Sequence, residues 1–227
     1  EKLEILLPTT LEAELRAYQE EGFRWLMRLN AWGAGACLAD DMGLGKTLQA
    51  IAAMLSLAPN GPSLVVCPAS VINNWCNELT KFAPTLNPIV LKPGNARKET
   101  FATLSEFDVL VISYGLLQSE EETITAIDWA TAVLDEAHAI KNTNTKSSKA
   151  AMGIKAGFRV ALTGTPVQNH LGELWNLFQF CNPGLLGSLQ HFTDRYVKNE
   201  VPEQKAHLKK LISPFILRRT KNKVLSE

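Results

Sequence analysis

Six short apolar runs constrain the fold of this chain more than any other feature. They are Ala36–Ala39, Leu64–Cys67, Ile89–Leu91, Val109–Ile112, Ala130–Leu134 and Phe158–Thr163. Most are nearly continuous in apolar residues, as strands buried on both faces of a parallel sheet must be. Helical patterns lie between them. Leu48, Ile51, Ala52 and Leu55 recur at i, i+3, i+4 and i+7. Ser70 reads as the N-cap of a helix carrying Val71, Trp75, Leu79 and Phe82, with Pro84 as its stop. Such alternation calls for βαβ crossovers and a doubly wound α/β sheet, mostly parallel and flanked by helices.

Two regions frame this core. An amphipathic helical stretch, Leu11 to Leu29, precedes the first run. Leu171 to Glu227 reads as mostly helical, broken at Asn182-Pro183-Gly184 and at Ser213-Pro214. No linker separates a second full domain. The chain is expected to be one domain over 1–227, with an N-terminal helix at 11–30, an α/β core at 31–170 and a helical extension at 171–227. At 227 residues and 46% hydrophobic, a large core can form. No apolar stretch reaches the roughly 18 residues of a membrane-spanning helix. Cys37, Cys67, Cys76 and Cys181 lack Cys-x-x-Cys spacing and read as buried reduced thiols of an intracellular compartment.

The first apolar run leads into Asp40-Asp41-Met42-Gly43-Leu44-Gly45-Lys46-Thr47. Two glycines flank one residue, then come a lysine and a hydroxyl. Such a loop wraps backbone N–H groups around a phosphate chain at a helix N-terminus. Lys46 can reach the β- and γ-phosphates, and the Thr47 hydroxyl can bind Mg²⁺. The implied ligand is a nucleoside triphosphate. One position departs from the strict phosphate-loop formula: Asp40 stands where the first glycine belongs.

Two further motifs follow other apolar runs, where open α/β sheets bind their ligands. Asp135-Glu136-Ala137-His138 comes after Ala130–Leu134. An Asp at a buried strand end can hold Mg²⁺ opposite Thr47. Alternation along the strand turns Glu136 to another side, where it can orient or deprotonate an attacking water. Leu162-Thr163-Gly164-Thr165-Pro166 forms a turn whose hydroxyls can bond carboxylates on an adjacent strand.

Net charge is zero, yet charge is segregated. Nine acids and no Lys or Arg lie between Glu99 and Glu136. Five Lys/Arg and no acid lie between Ala137 and Gly172, and seven Lys/Arg and no acid between Lys205 and Lys223. A neutral protein can therefore carry basic faces. Trp75 and Trp175 sit at helical spacing with apolar neighbours and read as core. His170, His191 and His207 read as surface residues.

In this order the motifs resemble the first RecA-like lobe of superfamily 2 helicase-like ATPases. Within it they resemble the Snf2 family of double-stranded DNA translocases and remodellers. Leu15 to Leu26 looks like the Q-motif region, Leu38–Thr47 like motif I in its Snf2 form with Asp at position 40, and Val65–Ser70 like motif Ia. Val111–Tyr114 looks like motif Ib, Asp135–His138 with Ile140-Lys141-Asn142 like motif II, and Leu162–Pro166 with Gln168 and Asn169 like motif III. Phe215–Lys221 looks like the segment leading toward a second lobe. The resemblance covers about Leu11 to Lys223.

The resemblance implies a RecA-like P-loop NTPase fold with ATP and Mg²⁺ as cofactors. It implies Lys46 and Glu136 as catalytic, Arg16, Gln19 and Asp41–Thr47 as nucleotide-binding, with Gln19 reading adenine, and Thr47 and Asp135 as metal-holding. His138 would link the Mg²⁺ site to motif III, whose Thr163 and Thr165 would couple the nucleotide site to another surface. Pro68, Ala69, Ser70, Ser113, Tyr114, Lys141, Gln168 and Asn169 would face the tracked strand. Implied partners are double-stranded DNA, a second RecA-like lobe of the same parent protein that supplies arginines, and a DNA-bound protein target, with no membrane. The compartment would be the nucleus in a eukaryote and the cytoplasm or nucleoid in a prokaryote. Without the second lobe, slow hydrolysis is expected. Three rivals remain. A GTPase would need Asp in Asn222-Lys223-Val224-Leu225. An RNA helicase lobe would not carry Met42-Gly43-Leu44-Gly45 with Ile140-Lys141-Asn142. A non-hydrolysing scaffold would be expected to lose Lys46 or Glu136.

Overall fold

The computed structural model describes residues 4–164, 171–198 and 201–224, so the expected roles of Thr165, Gln168 and Asn169 lie outside the described residues. The six apolar runs form β1 (Ala36–Leu38), β2 (Ser63–Cys67), β3 (Asn87–Val90), β4 (Asp108–Ser113), β5 (Asp128–Leu134) and β6 (Lys155–Leu162). A seventh strand, β7 (Ile216–Leu217), comes from the C-terminal region. The helices are α1 (Ala17–Ala31), α2 (Lys46–Leu57), α3 (Ile72–Phe82), α4 (Ala96–Thr103), α5 (Tyr114–Ser119) and α6 (Glu121–Thr125). They continue with α7 (Lys146–Met152), α8 (Leu171–Cys181), α9 (Leu189–Phe192), α10 (Pro202–Ile212) and α11 (Lys221–Val224).

Among the described residues the strands make one sheet in the order β3-β4-β2-β5-β6-β1-β7. Every pairing is parallel. The period of two assigns alternate side chains to two cores. Leu64, Val66, Leu110, Ile112, Ala132 and Leu134 face one, which α7, α8 and α10 cover with Ala150, Ala151, Leu177, Phe178, Leu208 and Ile212. Val65, Cys67, Val109, Val111 and Val133 face the other, where Leu26 and Leu29 of α1, Ile51 and Met54 of α2 and Trp75 and Leu79 of α3 pack. Each fully buried aliphatic side chain contributes about 1.5–3 kcal/mol by leaving water. Continuous apolar strands thus follow from a sheet with two dry faces.

Three local expectations change. Helix α1 starts at Ala17, not Leu11. The preceding segment is irregular, with a turn closed by the Leu11 N–H on the Pro8 carbonyl and the Glu12 N–H donating to the Phe82 carbonyl at 2.8 Å. Ser70 caps nothing. A 3₁₀ turn, Ala69–Val71, precedes α3, and its closing bond runs from the Val71 N–H to the Pro68 carbonyl at 3.0 Å. The C-terminal extension is not purely helical. Ile216 and Leu217 pair with Cys37 and Leu38 of β1, and the Ala39 N–H donates to the Leu217 carbonyl at 2.7 Å. An exposed edge of β1 offers hydrogen bonds that a helix could not take up.

Because all strands are parallel, their carboxyl ends share one rim. The phosphate loop leaves β1, Pro68 follows β2, Tyr114 follows β4, Asp135 follows β5, Thr163 follows β6 and Arg218 follows β7. No described helix is long and apolar enough to cross a membrane.

Candidate nucleotide-binding and catalytic site

The phosphate loop turns on Gly43 and Gly45, with φ of 84° and 80°. Only glycine adopts this left-handed region without strain. Gly45 is doubly required, because a Cβ there would lie 2.4 Å from Gln19 Nε2. Gln19 and Tyr18 pin the loop from α1. Gln19 Nε2 and the Tyr18 hydroxyl both donate to the Leu44 carbonyl, at 3.3 and 2.9 Å. Gln19 Oε1 accepts from the Arg16 N–H at 3.0 Å, so the expected adenine reader also caps its own helix.

Lys46 opens α2 and curls back over the loop. Its Nζ donates to the Asp40 carbonyl at 2.6 Å and to the Asp41 carbonyl at 3.4 Å. Burial pushes the ammonium below the usual lysine range, and Asp40, Glu136, Asp135 and Asp41 oppose that shift. Carboxylates at two strand ends thus favour the charge of one ammonium. β6 lies between β1 and β5 and supplies Gly164, whose Cβ position is 3.3 Å from Met42 Cγ and 3.8 Å from Lys46 Nζ. Thr163 and Gly164 thus border the phosphate loop, after the strand adjacent to β5. Thr163 is buried, and its N–H bonds the Leu38 carbonyl at 3.1 Å.

Asp135 is held on three sides. Its Oδ2 accepts from Trp75 Nε1 at 2.8 Å and its Oδ1 from the Glu136 N–H at 2.9 Å. Its carbonyl accepts from the Tyr114 hydroxyl at 2.7 Å. Burial, with Asp135 next, pushes the Tyr114 phenol well above its ordinary range, so it donates as a neutral group. Glu136 diverges from Asp135 for another reason than strand alternation. β5 ends at Leu134, and Glu136 adopts φ 48° and ψ 53°. A non-glycine residue in this region stores strain of order 1–3 kcal/mol. Its Oε2 lies 3.3 Å from His138 Nδ1, and both side chains stay open, at 39% and 45% exposure.

The donor set fits a magnesium nucleotide. Arg219 pairs with Asp40 at 2.6 Å and Arg218 lies 4.0 Å from Asp41, which leaves Asp135 and Glu136 to act on the single charge of Lys46. An excess of carboxylate over ammonium beside a phosphate loop is the setting in which Mg²⁺ binds, through one carboxylate, one hydroxyl and phosphate oxygens. No cluster of three or more metal-binding side chains occurs among the described residues.

The expected DNA-facing residues fall into groups. Ala69 and Ser70 are exposed on the turn after β2, and Pro68 is half-buried there. Ser113 Oγ caps α5 by accepting from the Leu116 N–H, while the Tyr114 hydroxyl points inward to Asp135. Lys141 is exposed, 4.0 Å from Glu173. Sequence reasoning missed two roles. Trp75 is core, as expected, but also orients Asp135. Asp40 has a partner, Arg219, 179 residues away. A carboxylate in place of the loop glycine was itself the signal that a cation had to be found.

Comparison with known proteins agrees with this geometry. A family model described as the SNF2-related domain matches residues 18–227. The putative ATP-dependent helicase/translocase YwqA of Bacillus subtilis is 44% identical over 222 residues, 93% of this chain and 24% of that protein. The TATA-binding protein-associated factor MOT1 of Saccharomyces cerevisiae is 38% identical over 252 residues, 97% of this chain and 14% of that protein. The Sulfolobus solfataricus SWI2/SNF2 ATPase core in complex with dsDNA superposes with a TM-score of 0.88 at 43% identity. That match covers 96% of this chain and 47% of the other. The chain thus spans a quarter or less of these two relatives and about half of the solved core.

Proposed function

The chain belongs to the SNF2-related family, and from that premise we propose that it is the ATP-binding lobe of a DNA-dependent ATPase that moves on duplex DNA and remodels protein–DNA complexes. The observation that carries this reading is that the Lys46 loop after β1 and Asp135-Glu136 after β5 lie on one carboxyl rim of an all-parallel sheet. A SWI2/SNF2 ATPase core of the same fold was solved with duplex DNA, which supports DNA as the partner.

The residues divide the work by position. Backbone N–H groups of 42–47 cradle the phosphates, with the Asp41 N–H kept by the Arg219 carbonyl, and Lys46 leaves the loop carbonyls for the β- and γ-phosphates. Gln19 and Arg16 stand on the adenine side. Thr47 and Asp135 would hold Mg²⁺, which when bound neutralises charge on the transferring phosphoryl group. Glu136, with His138 beside its Oε2, orients or deprotonates the attacking water. His138 and Thr163, with Thr165, are read as linking this chemistry to DNA contacts at Pro68–Ser70, Ser113 and Lys141; Gln168 and Asn169 keep the DNA-facing role that the family resemblance implies. Phosphate contacts suffice there, since a translocase must tolerate any sequence. A second lobe would supply the arginines. In this reading that lobe would cover Met42, which is 73% exposed in the phosphate loop.

The test is ATP turnover by the protein that carries this lobe, with duplex DNA, single-stranded DNA and RNA in separate arms. Stimulation by duplex DNA supports the reading. Stimulation by RNA alone would replace it with an RNA helicase, and ATP binding without turnover in any arm would replace it with a scaffold.

A further inference from the structure

Asp40 and Arg219 form the most enclosed ion pair of the described residues. Asp40 is wholly buried and the Arg219 side chain is 12% exposed. The guanidinium reaches Asp40 Oδ1 through Nε at 3.0 Å and Asp40 Oδ2 through Nη2 at 2.6 Å. Nη2 also donates to Gln49 Oε1 at 2.8 Å, Nη1 donates to the Tyr18 carbonyl, and the group lies 5.2 Å from the centroid of the Tyr18 ring. One side chain therefore fixes three separate elements of the nucleotide site. These are the start of the phosphate loop, the helix that follows it, and the α1 turn whose Tyr18 and Gln19 hold the Leu44 carbonyl.

The backbone repeats the connection. The Arg219 N–H donates to Asp40 Oδ1 at 2.9 Å and its carbonyl accepts from the Asp41 N–H at 3.0 Å. The Lys221 N–H donates to Asp41 Oδ2 at 3.1 Å, and the Lys221 side chain comes within 3.5 Å of the Cβ position of Gly43. Sequence makes room for this arrangement. A Cβ at Gly22 would stand 1.9 Å from Gln49 Oε1 and 2.8 Å from Arg219 Nη2.

We propose that Arg219 is a positioning residue of the nucleotide site, and that segment 216–221 and bound ATP are thermodynamically coupled through it. This rests on the reading of loop 40–47 as an ATP site. The physical reason is that phosphate binding must fix the loop in one shape. In this chain the Asp40 and Asp41 side chains at the start of that loop are held by segment 218–221, Asp40 by Arg219 and Asp41 by the Lys221 N–H with Arg218 4.0 Å away, and these contacts remain when Lys46 leaves the loop carbonyls for phosphate. Whatever stabilises the loop also stabilises the pairing of 216–221, and the linkage is reciprocal. The path by which the chain leaves the sheet is thereby tied to nucleotide occupancy, without either element touching the γ-phosphate chemistry.

The test compares amide hydrogen exchange of peptides spanning 214–224, with and without Mg·ATP, while a fluorescent ATP analogue reports binding separately. In the wild-type chain, saturating Mg·ATP is expected to slow exchange at Arg219 and Lys221 by about fivefold or more. The double variant Asp40→Asn, Arg219→Gln removes both charges together and so avoids an orphaned buried ion. It should bind ATP about tenfold more weakly, and nucleotide should no longer slow its exchange. Arg219→Lys should not restore the linkage, because a single ammonium cannot span Asp40, Gln49 and Tyr18. A general loss of stability would raise exchange equally with and without ATP, and so leave their ratio unchanged. Wild-type chain that binds ATP with no change at 214–224, or a double variant whose affinity and ratio match wild type, overturns the proposal. If the wild type binds no nucleotide, the binding arm shows it directly, and the ATP reading falls together with the coupling built on it.

Discussion

Two carboxylates at the same rim of the sheet lead opposite lives. Asp40 is sealed, with each oxygen taken up by Arg219. Glu136 is open, held in a left-handed turn, with His138 as its near neighbour. The first belongs to the part of the site that shapes a phosphate loop, which this chain completes by itself. The second belongs to the part that moves a proton in the proposed reading, and it stays accessible and strained. Binding benefits from a preset cradle, while proton transfer needs a group that can reach solvent and a substrate water.

The contrast can be broken at either side. Glu136→Gln should lower ATP turnover of the parent enzyme by roughly 10²- to 10⁴-fold while leaving nucleotide affinity within about threefold. Turnover near wild type would remove Glu136 from its role. Arg219→Ala should act on stability instead. It strands a buried carboxylate, and urea denaturation should register a loss of about 3–5 kcal/mol. A loss near zero would mean that Asp40 finds water, and that the sealed side is not sealed. Trp75→Phe keeps the ring packing and deletes one hydrogen bond to Asp135. A cost of about 1.5–3 kcal/mol is expected, with a higher Mg²⁺ concentration needed for half-maximal activity. An unchanged Mg²⁺ midpoint would reduce Trp75 to a core residue.

The smallest effect comes from Glu78. Burial, then Asp135, push its carboxyl above the ordinary glutamate range, and its Oε2 is buried without a partner. The folded state therefore favours the protonated form. That contribution is present at low pH and is lost as pH rises through the raised pKa. Glu78→Gln should raise the melting temperature at neutral pH by about 2 °C and flatten its pH dependence. A lower melting temperature at neutral pH would show that the charge is favourably solvated.

The sealed and open sides were not equally legible in the sequence. Lys46, Asp135 and Glu136 could be read because phosphate and metal chemistry demand those residue types after strands, and short local motifs carry them. The six central strands could be read because burial on both faces leaves a continuous apolar run. The partner of Asp40 could not be read, since a pairing across 179 residues leaves no local periodicity. β7 was missed for a related reason. Two residues are too short to show a pattern, and they are strand only because β1 offers them an unpaired edge. The αL turn at Glu136 left no trace either, because glutamate does not advertise a positive φ as glycine does.

The far border of the sheet has a consequence for how such a protein behaves in a concentrated solution. β3 is the outermost strand on that side, and a bare strand edge invites a second molecule to add itself and begin an aggregate. The Asn87 N–H points inward, to the Phe107 carbonyl at 2.8 Å. By alternation, position 88 faces outward, and that position is proline. The strand thus lacks a donor where an incoming chain would seek one, and an otherwise sticky, valine-rich sheet ends in a blunt margin.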